Sequence, residues 1–181
     1  MGRLNDLLLL TYVPRWSIIP INRPESVAEH SFRVAVIAME IAQRSNLETY
    51  PVIYRALIHD GPEAATGDIP SPMKRVLSDL RTAEGFACPW ASARGPARDI
   101  FDHIVKVADL IDLQIYLRRH GESFGGLDRV IVWALDYMEE QYRAALDRLP
   151  SDMQKVAKEV YGEAYSLVSP WAGKEIGEIR P

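Results

Sequence analysis

The sequence contains one cysteine, Cys88, among 181 residues, and this scarcity excludes an internal disulfide framework. Cys88 lies in a stretch of glycine, alanine and proline rather than beside a histidine, so we interpret it as a bystander and not as a nucleophile. No apolar run approaches the roughly 18 to 20 residues of a membrane span. The first residues also lack a basic region followed by a small-residue cleavage site, so we expect no secretory signal and a cytoplasmic location.

The sequence also has no excess of basic residues, with 21 lysines and arginines against 25 aspartates and glutamates. The formal net charge is -4 at pH 7, which argues against an extended surface for a nucleic acid polymer, because such surfaces are strongly basic. Small anionic ligands stay compatible with this charge through a local cluster of cations. A chain of 181 residues that is 48% hydrophobic supports one full core and is short for two. We therefore predict one domain over residues 1–170 and a poorly anchored C-terminal tail over residues 171–181.

Strand-like alternation of apolar and polar residues is absent as well, and helical periodicity dominates the chain. The fold class that follows is all-α, with about six to seven helices. Ser26 and Glu29 form the pattern of a capping box, and Ser71 is predicted to cap a later helix. Residues 67–70 are predicted to form a tight loop and residues 83–97 a surface loop. The predicted helices cover residues 2–13, 26–41, 50–59, 71–82, 100–120, 127–149 and 151–169.

Two candidate metal ligands are adjacent in the sequence. His59 and Asp60 follow an apolar helical run and precede Gly61 and Pro62, where the helix cannot continue. Upstream, His30 shares a helix face with aliphatic residues and should therefore point toward the core. For a lone histidine, the alternative is a buried ring that is satisfied by one hydrogen bond. A role as a metal ligand requires further partners.

A fourth candidate, Asp109, has mostly aliphatic neighbours on its predicted helix. A buried aspartate costs several kcal/mol unless it is paired or binds a metal. One shared cation would solve this problem for His30, His59, Asp60 and Asp109 together. Two imidazoles and two carboxylates suit Mn, Fe, Co, Ni or Zn better than calcium. Asp112 is an alternative ligand, but we favour Asp109 because it shares a face with Lys106.

The order of these residues, with a histidine, a His-Asp pair and a later aspartate on separate helices, resembles that of the HD-domain metal-dependent phosphohydrolases. Local motifs look like the bacterial 5'-deoxynucleotidase branch over about residues 12–117. Within that branch, the Arg-Trp-x-Ile arrangement resembles that of the small phage dATP triphosphohydrolases, whereas residues 83–97 depart from the bacterial enzymes. The motifs are Arg15-Trp16, Glu29-His30-Ser31, His59-Asp60 with Glu63, Gly67-Asp68-Ile69-Pro70 with Lys74, and Lys106-Val107-Ala108-Asp109.

The resemblance implies a single-domain HD-domain helical bundle and a metal-dependent deoxynucleotide phosphohydrolase. We expect a dATP triphosphohydrolase that releases deoxyadenosine and triphosphate. The alternatives are a 5'-deoxynucleotidase that hydrolyses dNMPs and a non-catalytic metal-binding helical module. The expected cofactor is a divalent transition metal such as Co, Mn or Zn, with additional Mg bound to the triphosphate. We expect a homo-oligomer, as a dimer or hexamer, with no nucleic acid polymer or membrane partner, in the host cytoplasm if the protein is phage-encoded.

The resemblance also implies roles at the reaction centre. Glu63 matches the family's acid/base residue, and its alternative is an exposed glutamate at a helix start. Asp68 matches a position near the sugar and the reaction centre, and its alternative is a turn residue that bonds its own backbone. Arg15, Lys74 and Lys106 are the candidates for phosphate binding, because arginine offers a bidentate fork and lysine a point charge.

Substrate choice is predicted to depend on two further residues. Trp16 could pack on the deoxyribose and leave no room for a 2'-hydroxyl, with burial in the core as the alternative. Ile18 would lie against the C2 edge of the purine, where it accepts adenine but leaves the 2-amino group of guanine unpaired. An unpaired donor costs roughly 1 to 3 kcal/mol, which is enough for about tenfold discrimination or more.

Overall fold

The computed structural model describes residues 2–77, 79, 80, 82, 85, 88–92, 99–122 and 128–168. Within these residues the regular elements are helices, so the all-α prediction is confirmed for the described part of the chain. Among them, no helix combines the length and hydropathy of a membrane span. The helices are α1 (Arg3–Leu9) with a 3-10 turn (Leu10–Tyr12), α2 (Val27–Arg44), α3 (Thr49–Ile58), α4 (Glu63–Thr66), α5 (Ser71–Val76), α6 (Pro89–Ser92), α7 (Ile100–His120), α8 (Asp128–Leu146) and α9 (Ser151–Val168).

Helix α2 begins at the predicted capping box. The Ser26 hydroxyl accepts a hydrogen bond from the Glu29 backbone N–H at 3.2 Å, and the Glu29 carboxylate accepts one from the Ser26 backbone N–H at 2.9 Å. The core face of the helix carries Val34, Ala38 and Ile41, all fully buried. His30 lies on this same face and is also fully buried, as its spacing predicted.

Helix α7 is the central element, in contact with α2, α3, α8 and α9. It spans the predicted residues, and Gly121 follows its end. Its N-cap is Asp99, which the sequence analysis did not single out; its carboxylate accepts from the backbone N–H groups of Phe101 and Asp102 at 3.0 and 3.2 Å. The helix also buries two carboxylates, Asp109 and Asp112, and so carries charge into the core.

The main apolar core lies between α2, α3, α7, α8 and α9. A smaller cluster forms where Leu117 of α7 meets Ala134 and Met138 of α8, with Trp16 and Ile19 packed against it. The first cluster fixes the positions of the long helices. The second lies beside the cavity described below, so the same packing that stabilises α8 also shapes a binding surface.

Three sequence predictions about the middle of the chain were wrong. The helix that begins at Ser71 ends at Val76 rather than near Thr82, because the backbone of Leu77 leaves the helical region with ψ of 86°, and its N-cap is Pro70 rather than Ser71. The described part of residues 83–97 is also not a surface loop. Cys88 is buried, Pro89–Ser92 is helical, and the Trp90 ring N–H donates to Asp6 at 2.9 Å. Small residues and prolines suggested a loop there, but the contact of Trp90 with Asp6 holds Pro89–Ser92 against the fold.

Further predictions were tested at the C-terminal end. Helix α8 begins and ends within the predicted residues 127–149, and α9 begins at Ser151 as predicted and ends at Val168. The tail of residues 171–181 lies outside the described residues, so its assignment stays a prediction.

Candidate active site

Three separate parts of the fold bring the four predicted metal ligands together. His30 comes from α2, His59 and Asp60 from the turn after α3, and Asp109 from α7. His30 Nε2 lies 3.3 Å from Asp109 Oδ1 and 3.7 Å from Asp60 Oδ2. His59 Nε2 lies 3.3 Å from the same Asp60 oxygen. The donor atoms of His30, His59 and Asp60 all lie within 4.8 Å of one another, which is the convergence that a shared cation requires.

The two histidine rings are oriented by their other nitrogen atoms. His30 Nδ1 lies 2.7 Å from the Asp112 carboxylate, and His59 Nδ1 lies 2.7 Å from the backbone carbonyl of Ala56. Both neighbours are acceptors, so each Nδ1 carries a proton, and Nε2 is the nitrogen that faces the carboxylates of Asp60 and Asp109. The two Nε2 atoms are buried and have no hydrogen-bond partner among the described residues. Such orphaned nitrogens beside carboxylates fit a bound metal ion.

The carboxylates of Asp60 and Asp109 are ionised at neutral pH. Burial raises the pKa of Asp60, but His59 and Arg15 outweigh it and lower that pKa to about 2. Burial likewise opposes ionisation of Asp109, but Lys106 and His30 hold its pKa well below the ordinary value. Lys106 Nζ is 2.7 Å from Asp109 Oδ2. The site therefore offers negative oxygens to a cation.

His30 is the group whose protonation a metal would change. Burial and the Arg15 charge lower the pKa of His30, but Asp109 and Asp112 outweigh them and raise it to about 9. The ring is therefore protonated at neutral pH in the metal-free protein, and a metal ion must displace this proton to bind Nε2. For His59, burial lowers the pKa, so that ring is neutral.

The geometry distinguishes the two candidate aspartates on α7. Asp109 faces the Nε2 side of His30, whereas Asp112 faces the Nδ1 side. Asp112 also accepts from Arg33 Nε at 2.6 Å and from Arg33 Nη2 at 3.1 Å. Asp109 therefore has the position of a ligand, and Asp112 lies behind the histidine, where it can orient the ring.

A cavity of about 240 Å³ adjoins this cluster and is lined by its two carboxylates, Asp60 and Asp109. Every predicted substrate-binding and catalytic side chain contributes to its wall, including Arg15, Lys74 and Lys106. Most of the lining residues from α7 and α8 are apolar or aromatic. The complete lining is Arg15, Trp16, Ser17, Ile18, Ile19, Asp60, Glu63, Asp68, Pro70, Lys74, Lys106, Asp109, Leu110, Leu113, Trp133, Ala134, Tyr137, Met138 and Gln141.

Glu63 begins α4, so the helical path resumes directly after the His59 to Pro62 turn. Its side chain is only 2% exposed, and the alternative of an exposed glutamate is therefore wrong. One oxygen, Oε1, accepts from Lys74 Nζ at 2.7 Å, while Oε2 is buried without a hydrogen-bond partner among the described residues. Burial and the Asp60 charge raise the pKa of Glu63 to about 8 against the opposing effect of Lys74. Such a carboxyl group can hold or release a proton near neutral pH.

Trp16 and Arg15 occupy a strained segment before α2. Trp16 has a φ of 66°, a left-handed conformation that costs a bulky residue about 1–3 kcal/mol. Its ring stacks on Tyr116, with centroids 5.7 Å apart and planes 9° apart, and its N–H donates to the Glu25 carboxylate. Arg15 Nη1 lies 3.2 Å from Asp60 Oδ2. These contacts hold a strained backbone in place, as is typical of functional segments.

Two predicted positions lie nearer the surface. Ile18 is 56% exposed at the rim of the cavity, where a ligand can cover it. Asp68 lines the cavity from the predicted loop, directly after Gly67, whose φ of 73° needs the freedom of glycine.

Sequence reasoning missed two groups of residues at the site. Trp133, Tyr137 and Gln141 line the cavity from one face of α8, and their four-residue spacing could have marked that face. Glu25 and Arg33 form ion pairs behind Trp16 and His30, in which the carboxylates are buried and Arg33 is partly buried, and no local sequence pattern indicates them.

The fold and the site define the class of HD-domain proteins, and the family model for the HD domain matches residues 9–84. A solved structure, the Cyanophage S-2L HD phosphohydrolase (DatZ) bound to dA and one catalytic Zn²⁺ ion, has the same fold with a TM-score of 0.77. It is 18% identical, and the match covers 92% of this chain and 98% of that chain.

Two phage relatives are similar in sequence. The dATP triphosphohydrolase of Salmonella phage PMBT28 is 34% identical over 134 residues, which cover 65% of this chain and 67% of the relative. The dATP triphosphohydrolase of Acinetobacter phage SH-Ab 15497 is 31% identical over 146 residues, which cover 68% of this chain and 71% of the relative. Bacterial 5'-deoxynucleotidases are similar over shorter stretches. The chain belongs to the HD-domain phosphohydrolase family that includes these phage enzymes, which confirms the resemblance found in the sequence.

Proposed function

We propose that this protein is a metal-dependent dATP triphosphohydrolase that converts dATP and water into deoxyadenosine and triphosphate. One observation carries the proposal: the orphaned Nε2 atoms of His30 and His59 lie beside ionised carboxylates at a cavity whose wall also presents three cations. The names of the two phage relatives support dATP as the substrate.

The proposed metal ligands are His30, His59, Asp60 and Asp109, and Zn, Mn and Co all suit this donor set. The zinc in the cyanophage structure supports this choice. A divalent ion bound there supplies Lewis acidity, which stabilises charge on phosphate oxygens and makes water more acidic. Asp112 holds the His30 ring in the orientation that binding requires.

The chain's own side chains orient the triphosphate. Arg15, Lys74 and Lys106 supply positive charge along the cavity wall, with Arg15 held in place by Asp60. Lys74 donates a hydrogen bond to Glu63, so the proposed phosphate-binding group lies next to the proposed proton-transfer group. The ring N–H of Trp16 donates to Glu25, and the ring offers a flat surface on which the deoxyribose can pack.

Hydrolysis requires that water attacks the α-phosphorus and that the bond from phosphorus to O5' breaks. The attacking water loses a proton and O5' gains one, so one group must move protons at the site. We assign this role to Oε2 of Glu63, because it is buried and unpartnered and because its pKa lies near neutrality. Asp68, on the neighbouring loop, is proposed to position the sugar end of the reaction centre.

Product analysis tests the proposed function. The zinc-loaded and manganese-loaded proteins are incubated separately with each dNTP, NTP and dNMP, and the products are separated by ion-exchange chromatography. Triphosphate and deoxyadenosine from dATP support the proposal. Activity confined to monophosphates would identify a 5'-deoxynucleotidase instead. The absence of any turnover would favour the non-catalytic module.

Base choice is proposed to depend on Ile18. Ile18→Ala opens space and water access at the rim, so the preference for dATP over dGTP is expected to fall about tenfold. The measurement is kcat/KM for both nucleotides, with the exposed Val76→Ala as a matched control outside the cavity lining. An unchanged ratio in Ile18→Ala would remove Ile18 from base selection. The expected homo-oligomer, the cytoplasmic location and the additional Mg stay predictions.

A further inference from the structure

Glu25 is a buried carboxylate directly before α2, and the proposed reaction does not use it. Its side chain is 0% exposed. Oε2 accepts the Trp16 ring N–H and lies 3.3 Å from Arg15 Nε, while Oε1 pairs with Arg33 Nη2. A buried carboxylate is costly unless it is fully paired, and each oxygen of Glu25 has at least one cationic or N–H partner. The two oxygens of Glu25 therefore contact two different parts of the site: Oε2 contacts Trp16 and Arg15, and Oε1 contacts Arg33.

The first neighbour is the strained segment of the cavity wall. The Arg15 backbone N–H donates to the Glu25 backbone carbonyl at 2.9 Å, so a backbone hydrogen bond also connects Glu25 to the segment that contains Arg15 and Trp16. Trp16 has its left-handed backbone immediately after this bond. The carboxylate then sets the direction of both side chains, since it binds the ring N–H of Trp16 and the guanidinium of Arg15.

The second neighbour connects Glu25 to the metal ligands. Arg33 uses its planar fork on two carboxylates, with Nη2 on Glu25 and with Nε and Nη2 on Asp112. Asp112 in turn accepts from His30 Nδ1 at 2.7 Å. Glu25, His30 and Asp112 also have donor atoms within 4.8 Å of one another, but Arg33 already supplies the cation between the two carboxylates. The cluster is therefore an ion network rather than a second metal site.

We propose that Glu25 is a positioning residue that connects the two halves of the active site. Through Oε2 it holds Trp16 and Arg15 against the substrate, and through Oε1 and Arg33 it keeps Asp112 on His30. The substrate half rests on the proposed function, whereas the metal half requires only that His30 binds a metal. A change at Glu25 therefore alters two separate properties, nucleotide affinity and metal affinity.

Glu25→Gln is the direct test, because it keeps the shape and removes the charge. Arg15 still has Asp60 and Arg33 still has Asp112, so neither guanidinium loses all of its partners. We expect KM for dATP to rise about tenfold while kcat falls less, and the dissociation constant for Zn²⁺ to rise about tenfold. KM comes from steady-state kinetics, and zinc affinity comes from competition of the zinc-loaded protein with a chromogenic chelator.

Two further variants separate the halves. Trp16→Phe removes only the N–H that Glu25 accepts, so it should raise KM and leave zinc affinity unchanged. Arg33→Lys removes the fork on Asp112 but keeps the charge, so it should weaken zinc binding and change KM less. Glu163→Gln breaks an exposed ion pair with Arg44 and serves as the matched control, with both parameters unchanged.

The outcomes are decisive in each case. A folded Glu25→Gln with wild-type KM and wild-type zinc affinity would overturn the proposal, even if its melting temperature were lower, because the residue would then be only structural. If that variant does not fold, Trp16→Phe and Arg33→Lys decide, and unchanged parameters in both would overturn it. If the wild-type protein does not hydrolyse dATP, the proposed function fails, and the zinc measurements still test the connection through Arg33.

Discussion

At the scale of single residues, Glu63 combines burial, one bonded oxygen and one unpartnered oxygen. Glu63→Gln keeps an acceptor for Lys74 and removes the proton-accepting group. We expect kcat to fall by about 10²- to 10⁴-fold with little change in KM, measured by steady-state kinetics with dATP. The exposed N-cap residue Glu48, whose side chain makes no capping bond, provides the control Glu48→Gln. Undiminished kcat in Glu63→Gln would exclude Glu63 from proton transfer.

The raised pKa of Glu63 also predicts a pH dependence of stability. Burial and the Asp60 charge raise the pKa of Glu63 from the ordinary glutamate value of 4.5 to about 8 in the metal-free folded protein. At a pH between 4.5 and about 8, Glu63 has lost its proton in the unfolded chain but keeps it in the folded protein. The contribution of Glu63 to stability is therefore complete below about pH 4.5 and is lost as the pH rises toward about 8.

Glu63→Gln should flatten this part of the profile. The measurement is urea denaturation of the metal-free protein at about pH 5, 6.5 and 8, for the wild type and the variant. His30, whose pKa is also raised, contributes a decline of the same sign in both proteins, so the difference between them isolates Glu63. Identical slopes would show that the Glu63 pKa is not raised.

At the scale of elements, the turn between α3 and α4 is held by packing on Gly61. A Cβ at this position would overlap the ring of Trp90 and lie 3.1 Å from the Ile58 carbonyl oxygen. Trp90 cannot easily retreat, because its N–H is bonded to the buried Asp6. Gly61→Ala is therefore expected to destabilise the protein by about 1–3 kcal/mol and to reduce zinc affinity by displacing His59.

Gly162 of α9 is the matched control for that substitution, since a Cβ there would meet nothing within 4 Å. Gly162→Ala should stabilise the protein by about 0.5–1 kcal/mol through better helix propensity. Both changes are measured as shifts in the urea midpoint. If Gly61→Ala stabilised the protein as Gly162→Ala is expected to do, Trp90 would not pack on this turn.

The elements differ in how far they could be predicted. Helix α2 was predicted from its capping box and α7 from its periodicity, because these signals are local in the chain. The end of α5 at Val76 and the helical turn at Pro89–Ser92 were not predicted. The helical turn depends on neighbours distant in sequence, because Trp90 contacts Asp6 and packs beside Gly61.

At the scale of the whole molecule, the proposed metal joins three elements that are far apart in the chain. His30 of α2, the His59-Asp60 turn after α3 and Asp109 of α7 all contribute, so bound metal should stabilise the entire fold. Zinc at about 100 times its dissociation constant should add about 2.7 kcal/mol, and a chelator should remove it. The measurement is thermal unfolding with zinc and with chelator.

Asp60→Asn should lose most of this zinc-dependent shift, because it removes a charged ligand. Asp136→Asn, at an exposed position on α8, should keep it. A full shift in Asp60→Asn would contradict the proposed ligand set.

The sequence by itself determined the helical class, the two best-defined helices and the residue types of the site, because periodicity, caps and motif spacing are local properties of the chain. Only the tertiary structure placed Asp109 on the Nε2 side of His30 and Asp112 on its Nδ1 side, since this depends on how α7 faces α2. It also brought α8 into the cavity wall and joined Glu25 to Arg33 behind the histidine. These features arise from helix packing between distant segments, and no local pattern records which faces will meet.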